Sequence, residues 1–192
     1  KEIVENRARG TIQNLDELPF PDYESFPLEK YPCFRNKMLP LITQRGCPYS
    51  CNFCSVPLSM GHPFRARTPE NVVQELQHWY DKGWRHFGVN DDVFNIRRDR
   101  VMEICKLIVE RGIKITWELY NGIRVNVCDR ELLEAMKAAG CVFISYGCES
   151  GNPEILKLIQ KGLTLEQVRR AVELTVAAGI KCSVNFIVGH PT

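Results

Sequence analysis

Three cysteines, Cys47, Cys51 and Cys54, fall within eight positions of the stretch RGCPYSCNFCS (45–55), where Pro48 and Asn52 bend the chain between them. As thiolates such side chains are soft ligands for zinc or for iron in a cluster. A structural zinc ion takes four ligands, and His62 beyond Cys54 would complete a Cys3His set. A fully ligated electron-transfer cluster also takes four thiolates, and the only other cysteine in the first half of the loop's surroundings is Cys33 in YPCF. Three thiolates on one bend can instead hold three corners of an iron cubane and leave the fourth iron open to a substrate or cofactor. On the residues alone all three arrangements stand.

The flanking segments show what must position this loop. LPLITQ (39–44) reads as a short buried strand running straight into it, since a mostly apolar run ended by Gly46 and Pro48 suits a strand covered on both faces. Thr68 and Pro69 supply an N-cap and a preorganised first helical position, and Val72, Val73, Leu76 and Trp79 follow at helical spacing up to Gly83. HFGVN (86–90) reads as a strand delivering Asp91 and Asp92. The next helix places Val101, Ile104, Cys105 and Ile108 on one stripe before Gly112. IKITWELY (113–120) is a third strand, followed by a helix capped by Asp129 that ends at Gly140. CVFISYG (141–147) is a fourth, leading through CESGNPEILKLI to a helix begun by Thr164 with Gln167 three positions on, a capping box. KCSVNFIVG (181–189) is a fifth. Five strands alternating with four helical connections imply parallel pairing through right-handed crossovers in an α/β sheet, barrel-like or open. Either way the polar clusters at the strand ends face one mouth at the carboxyl edge of the sheet.

Composition bounds the function. The 192 residues are 44% hydrophobic and 25% charged, as in a globular domain with one core. Twenty-five Lys and Arg against 23 Asp and Glu leave a formal charge of +2, too balanced for a nucleic-acid binder working by phosphate neutralisation. No apolar run reaches the length of a membrane span, and KEIVENRARG lacks the apolar middle of a signal peptide, so a cytoplasmic protein is expected. Nine cysteines, an odd number in a chain of this length, disfavour a disulfide framework, and Cys105, Cys128, Cys141, Cys148 and Cys182 read as small buried hydrophobes. Pro19, Pro21, Pro27 and Pro32 mark residues 1–38 as an extended linker, expected to come from an upstream domain, since the chain opens at Lys1. Residues 39–192 then form the folded unit that carries the five strands.

Cys47-x-x-x-Cys51-x-Phe53-Cys54, directly after a first strand, resembles the signature of the radical S-adenosylmethionine (SAM) enzymes. ELPFPDYESF, FRARTPENVVQEL, NDDVFN and GCESGNPEILKLIQKG with FIVGHP resemble the subgroup that carries an upstream cobalamin-binding domain, which includes anaerobic magnesium-protoporphyrin ester cyclases and radical methyltransferases. The resemblance implies a partial (β/α)6 TIM-like barrel of which five strands are present here. It implies a [4Fe-4S] cluster held by Cys47, Cys51 and Cys54. The open iron chelates SAM and reduces it to methionine and a 5′-deoxyadenosyl radical, which abstracts hydrogen from a small-molecule substrate. An external one-electron donor of flavodoxin or ferredoxin type is implied, and cobalamin, bound outside these residues, is the further cofactor of the subgroup.

Site roles follow from the same resemblance. Phe53 packs near the adenine, and Asn90, Asp91 and Asp92 stand where many relatives carry Gly-Gly-Glu against the methionine amine. A helix-capping role is the alternative for Asp91 or Asp92. Arg124 grips the methionine carboxylate, which a guanidinium can bind bidentately. Glu149 and Ser150 meet the ribose hydroxyls, with an N-cap as the rival role for Ser150. The backbone from Ile187 to Gly189 meets the adenine edge. His190, where relatives carry an apolar residue, is expected to be solvated or substrate-facing rather than a base.

Overall fold

The computed structural model describes residues 3–7, 9–31 and 38–190. Its strands and helices run in the order β1 Met38–Leu41, β2 Gln44–Arg45, α1 Val56–Ser59, β3 Arg65–Ala66, α2 Pro69–Asp81, β4 His86–Val89, α3 Arg98–Glu110, β5 Thr116–Leu119, α4 Arg130–Ala138, β6 Cys141–Glu149, α5 Pro153–Leu158, α6 Leu165–Ala177 and β7 Lys181–Phe186.

Five of the strands form one sheet in the order β1-β4-β5-β6-β7, every pair parallel. Because spatial order follows chain order, each right-handed crossover steps in the same direction and the helices collect on one face. Helices α2, α3, α4 and α6 accordingly touch in series. This winding resolves the choice that periodicity leaves open: it is that of a barrel wall, not of a doubly wound sheet, whose strand order reverses at a switch point. The core lies between sheet and helices, where Val72, Leu76, Ile104, Leu132 and Met136 meet Leu39, Phe87, Trp117 and Ile144.

The helix starts come out at the expected caps. Thr68 Oγ1 accepts from Asn71 N (3.2 Å), Asp129 Oδ1 from Leu132 N (2.8 Å), and Thr164 and Gln167 exchange both bonds of a capping box (2.9 and 3.2 Å).

Two expectations are corrected. LPLITQ is not one strand into the cysteine loop: β1 stops at Leu41, and Gln44–Arg45 pairs antiparallel with Arg65–Ala66 in a separate ribbon. The backbone of Thr43 is spent elsewhere: Asp91 takes its N–H, while its carbonyl accepts from Arg100 (2.8 Å) and from Arg67 N (2.9 Å), which turns the chain into the β2–β3 ribbon. The leading segment is also more than an extended linker where it is described. It carries 3-10 turns at Leu15–Glu17 and Leu28–Lys30, buries Leu15, and donates from Tyr23 Oη to Pro40 O (2.7 Å). Cys33 lies outside the described residues. Cys105, Cys141 and Cys148 are buried, Cys128 and Cys182 half-buried.

Candidate active site

The β2–β3 ribbon closes the root of a loop running from Gly46 to Phe64 and carrying all three clustered thiols. Gly46 has φ +85°, and a Cβ there would stand 2.3 Å from the Pro63 carbonyl oxygen, so no other residue fits the step before Cys47. At the far side, Asn52 donates from its backbone to Ile159 O (3.2 Å) and from Nδ2 to Leu158 O (2.9 Å), tying the loop to the end of α5.

Beneath the root, Asp91 is fully buried. Its carboxylate accepts from Thr43 N (2.6 Å), Gln44 N (3.1 Å) and Thr43 Oγ1. Burial nevertheless outweighs those bonds and the nearby Arg100, and pushes the acid up to about 6. Arg100, from α3, donates to Thr43 O (2.8 Å), Arg67 O (2.8 Å) and Gln44 Oε1 (3.3 Å), and burial lowers its guanidinium to about 10. Asp92, next in sequence, turns the other way: its Oδ2 accepts from Gly46 N (3.1 Å) and its side chain faces the cavity.

That cavity, about 510 Å³, opens at the carboxyl ends of the strands. Cys47, Cys51, Cys54, Tyr49 and Phe53 form its loop wall, Asp92, Arg124 and Asn185 come from strand ends, and Glu149 and Lys161 close the side. Cys47 is buried, and desolvation raises its thiol above the ordinary value. Arg124 is only 6% exposed; Nη2 donates to Gly162 O (3.2 Å), the guanidinium lies 3.9 Å from the Tyr49 ring centroid, and Nε has no partner among the described residues. Asn95 pins the Arg124 backbone from both sides, accepting from its N–H (2.8 Å) and donating to its carbonyl (2.9 Å). Glu149 carries φ +73°, a left-handed geometry that for a glutamate stores about 1–3 kcal/mol and marks a constrained site. Its carboxylate pairs with Lys161 (2.7 Å), both side chains 13% exposed. The two fold back over Gly147, where a Cβ would meet Glu149 Oε1 at 2.4 Å.

Of the residues singled out in the sequence, the cysteine trio, Phe53, Asp92, Arg124 and Glu149 line this one cavity. Asp91 does not, being turned under the loop root. Asn90 has its carbonyl taken by Asn121 (3.2 Å); Ser150 Oγ accepts from Asn152 N (3.1 Å), and the N-cap of α5 is Asn152 rather than Ser150. Ile187 N donates to Glu149 O (2.9 Å), continuing the β6–β7 pairing, and Gly189 follows with φ +88°. His190 is half-buried: its ring stands edge-on to Phe53 (5.9 Å), and its Nε2 is buried without a partner among the described residues. His62 is exposed and outside the cavity wall. Sequence reasoning missed Tyr49, Asn95, Lys161 and Asn185. Asn95 and Lys161 sit inside NDDVFN and QKG, and only their partners, distant in sequence, reveal what they do.

A larger cavity, about 620 Å³, lies at the opposite end of the sheet against Arg85, His86 and Lys114. It holds none of the buried unpartnered polar atoms found among the described residues, and none of the thiols. Volume is therefore a poor guide here; convergent polar groups, the clustered thiols and the unpartnered Arg124 Nε mark the carboxyl end as the site.

Together the walls offer three soft ligands, the Arg124 cation, the Asp92 carboxylate, one carboxylate–ammonium pair and the rings of Tyr49, Phe53 and Tyr120. Comparison with known proteins accords with this. Residues 41–192 match the family model described as the Radical SAM superfamily. An uncharacterized methyltransferase of Pyrococcus horikoshii is 36% identical over 185 residues, covering 95% of this chain and 40% of that protein. The anaerobic magnesium-protoporphyrin IX monomethyl ester cyclase of Rubrivivax gelatinosus is 30% identical, covering 97% of this chain and 34% of that one. Among solved structures, the radical SAM methyltransferase TsrM of Kitasatospora setae, bound to tryptophan and a SAM analogue, superposes with a TM-score of 0.71 at 25% identity, covering 80% of this chain and 31% of TsrM. TsrM has also been solved with cobalamin and a [4Fe-4S] cluster. This chain thus spans between a third and two fifths of the length of the two curated relatives.

Proposed function

The chain belongs to the radical SAM superfamily, and on that premise we propose that it forms the cluster- and SAM-binding part of an enzyme that makes a 5′-deoxyadenosyl radical. The observation that carries this is the sharing of one cavity by three thiols and a buried arginine with a vacant N–H. The donor set fits a [4Fe-4S] cluster. His62, which would complete a Cys3His zinc set, is exposed and is not among the residues lining the cavity, which supports the cluster over a structural zinc ion. Cys47, Cys51 and Cys54 would hold such a cluster with three thiolates, one short of the four of a fully protein-ligated one.

When bound, the cluster supplies one electron to the sulfonium of SAM, yielding methionine and the radical that removes a substrate hydrogen. The chain's own part is to bind, orient and shield. Cys47, Cys51 and Cys54 hold the cluster on a loop braced at its root. Arg124 receives the methionine carboxylate, and Asp92, the one member of Asn90-Asp91-Asp92 that lines the cavity, faces the amine. Glu149, fixed by Lys161, accepts from the ribose hydroxyls, with Ser150 beside it. Phe53 and the backbone of Ile187 to Gly189 border the adenine. The names of the relatives support methyl transfer or ring closure on a small molecule. Cobalamin bound by another part of the protein, an external flavodoxin- or ferredoxin-type donor and a reducing cytoplasm complete the proposal. Among the described residues no helix is long and apolar enough to cross a membrane.

Anaerobic reconstitution should give a brown protein absorbing at about 400 nm, the iron–sulfur region. Adding SAM and a chemical reductant should then release 5′-deoxyadenosine. Release by a protein with all three cysteines replaced by alanine would overturn the assignment.

A further inference from the structure

The geometry points to Tyr49 as a positioning residue that holds the Arg124 guanidinium ready for a carboxylate, so that the cluster loop and the carboxylate grip form one device. This rests on the SAM-binding reading above. Tyr49 lies between Cys47 and Cys51 and offers the cluster no ligand of its own, yet its ring lines the cavity and its face carries the Arg124 guanidinium at 3.9 Å.

An arginine side chain has several rotatable bonds and loses about 2 kcal/mol of rotamer freedom when it is fixed. The Arg124 backbone is held by Asn95, but beyond it the guanidinium has only one hydrogen bond among the described residues, to Gly162 O (3.2 Å). Stacking supplies the rest of the constraint. It occupies the π face of the guanidinium and leaves the in-plane N–H edge free, and that edge is the one a carboxylate binds. Nε is already stripped of water and without a partner, so the desolvation that carboxylate binding requires has taken place in advance. Since Tyr49 rides on the cysteine loop, the arginine is fixed only where the loop is in place.

The test compares two adenosyl thioethers on the anaerobically reconstituted protein. S-adenosyl-L-homocysteine bears the carboxylate; 5′-methylthioadenosine lacks it. Tyr49→Leu should weaken the first by about threefold to tenfold, the range of a partly desolvated cation–π contact, and leave the second unchanged, while Tyr49→Phe should restore wild-type affinity. Equal weakening of both probes, or none of either, overturns the proposal. Tyr49→Gln, of similar reach but without a π face, is measured in parallel, with iron content as the check on both. If both variants fail to load iron, Tyr49 is a requirement of the loop itself and the proposal also falls. A wild type that binds neither probe sinks the SAM-binding reading underneath, whereas one that prefers the carboxylate probe and is indifferent to Tyr49→Leu sinks this inference alone.

Discussion

Beneath the root of the cysteine loop two buried ions are matched: Asp91 accepts three hydrogen bonds, and Arg100 donates three. At the rim, about one loop away, Arg124 keeps a buried N–H without a partner and Glu149 is held in a left-handed backbone. Both regions are buried and charged, so neither burial nor charge tells them apart. Satisfaction does. A buried ion whose donors and acceptors are matched within the chain is fixing the fold, and one left with spare capacity is shaped for something that arrives later. Charge deletions at the root should therefore register as stability, and at the rim as affinity.

The largest expected effect is at the thiols. Cys51→Ala and Cys54→Ala should each abolish iron loading and deoxyadenosine release, while the unfolding free energy of the metal-free protein moves by no more than about 0.5 kcal/mol, as for partly exposed side chains outside the core. Chemical denaturation of the metal-free variants checks this, and a loss of several kcal/mol would erase the distinction between rim and root.

Arg100→Met comes next. It leaves Asp91 buried beside an apolar side chain, strips the Arg67 carbonyl of its donor and leaves the Thr43 carbonyl only its bond from Arg67 N, which should remove about 3 kcal/mol of stability. Its effect on ligand affinity in the fraction that stays folded should be small. Arg124→Met should do the reverse: affinity for S-adenosyl-L-homocysteine falls by about tenfold to a hundredfold, the worth of a charge-assisted hydrogen bond, with the melting midpoint nearly unchanged. Calorimetric titration and thermal denaturation of the same two variants read both quantities.

The same contrast explains what could be read from residues alone. Helix starts were legible at Thr68, Asp129 and Thr164 because a cap is a local contract between a side chain and an amide three residues on. The cysteine loop was legible because its spacing is itself the chemistry. The break after Leu41 was not, since it depends on Asp91 and Arg100, about 50 residues away along the chain. Asp91 and Asp92 look alike in sequence, yet one lies under the loop root and the other lines the cavity; the alternation of side chains at a strand end separates them only once the strand's exit is known. Tyr49 and Lys161 were missed for the same reason, their partners being Arg124 and Glu149 across the mouth.

The finest test of root against rim is a pH dependence. Asp91 has its folded-state pKa pushed up to about 6 by burial, against an ordinary value of 3.8. Between those two values the folded protein holds a proton that the unfolded chain has released, so stability falls as pH rises through that window and stays lower above it. From pH 5 to pH 7 the loss is about 1 kcal/mol for a shift of this size. Asp91→Asn removes the titrating group and should flatten that part of the profile in urea unfolding, while its amide oxygen still accepts from the Thr43 and Gln44 backbone. Should the wild-type curve rise with pH instead, the three hydrogen bonds and Arg100 outweigh desolvation, and the root is an ion-pair clamp for an ionised aspartate rather than a seat that favours the neutral acid. Either slope, absent from Asp91→Asn, locates the titration at the root; a slope that survives in the variant assigns it elsewhere and leaves the Asp91 site electrically silent in this range.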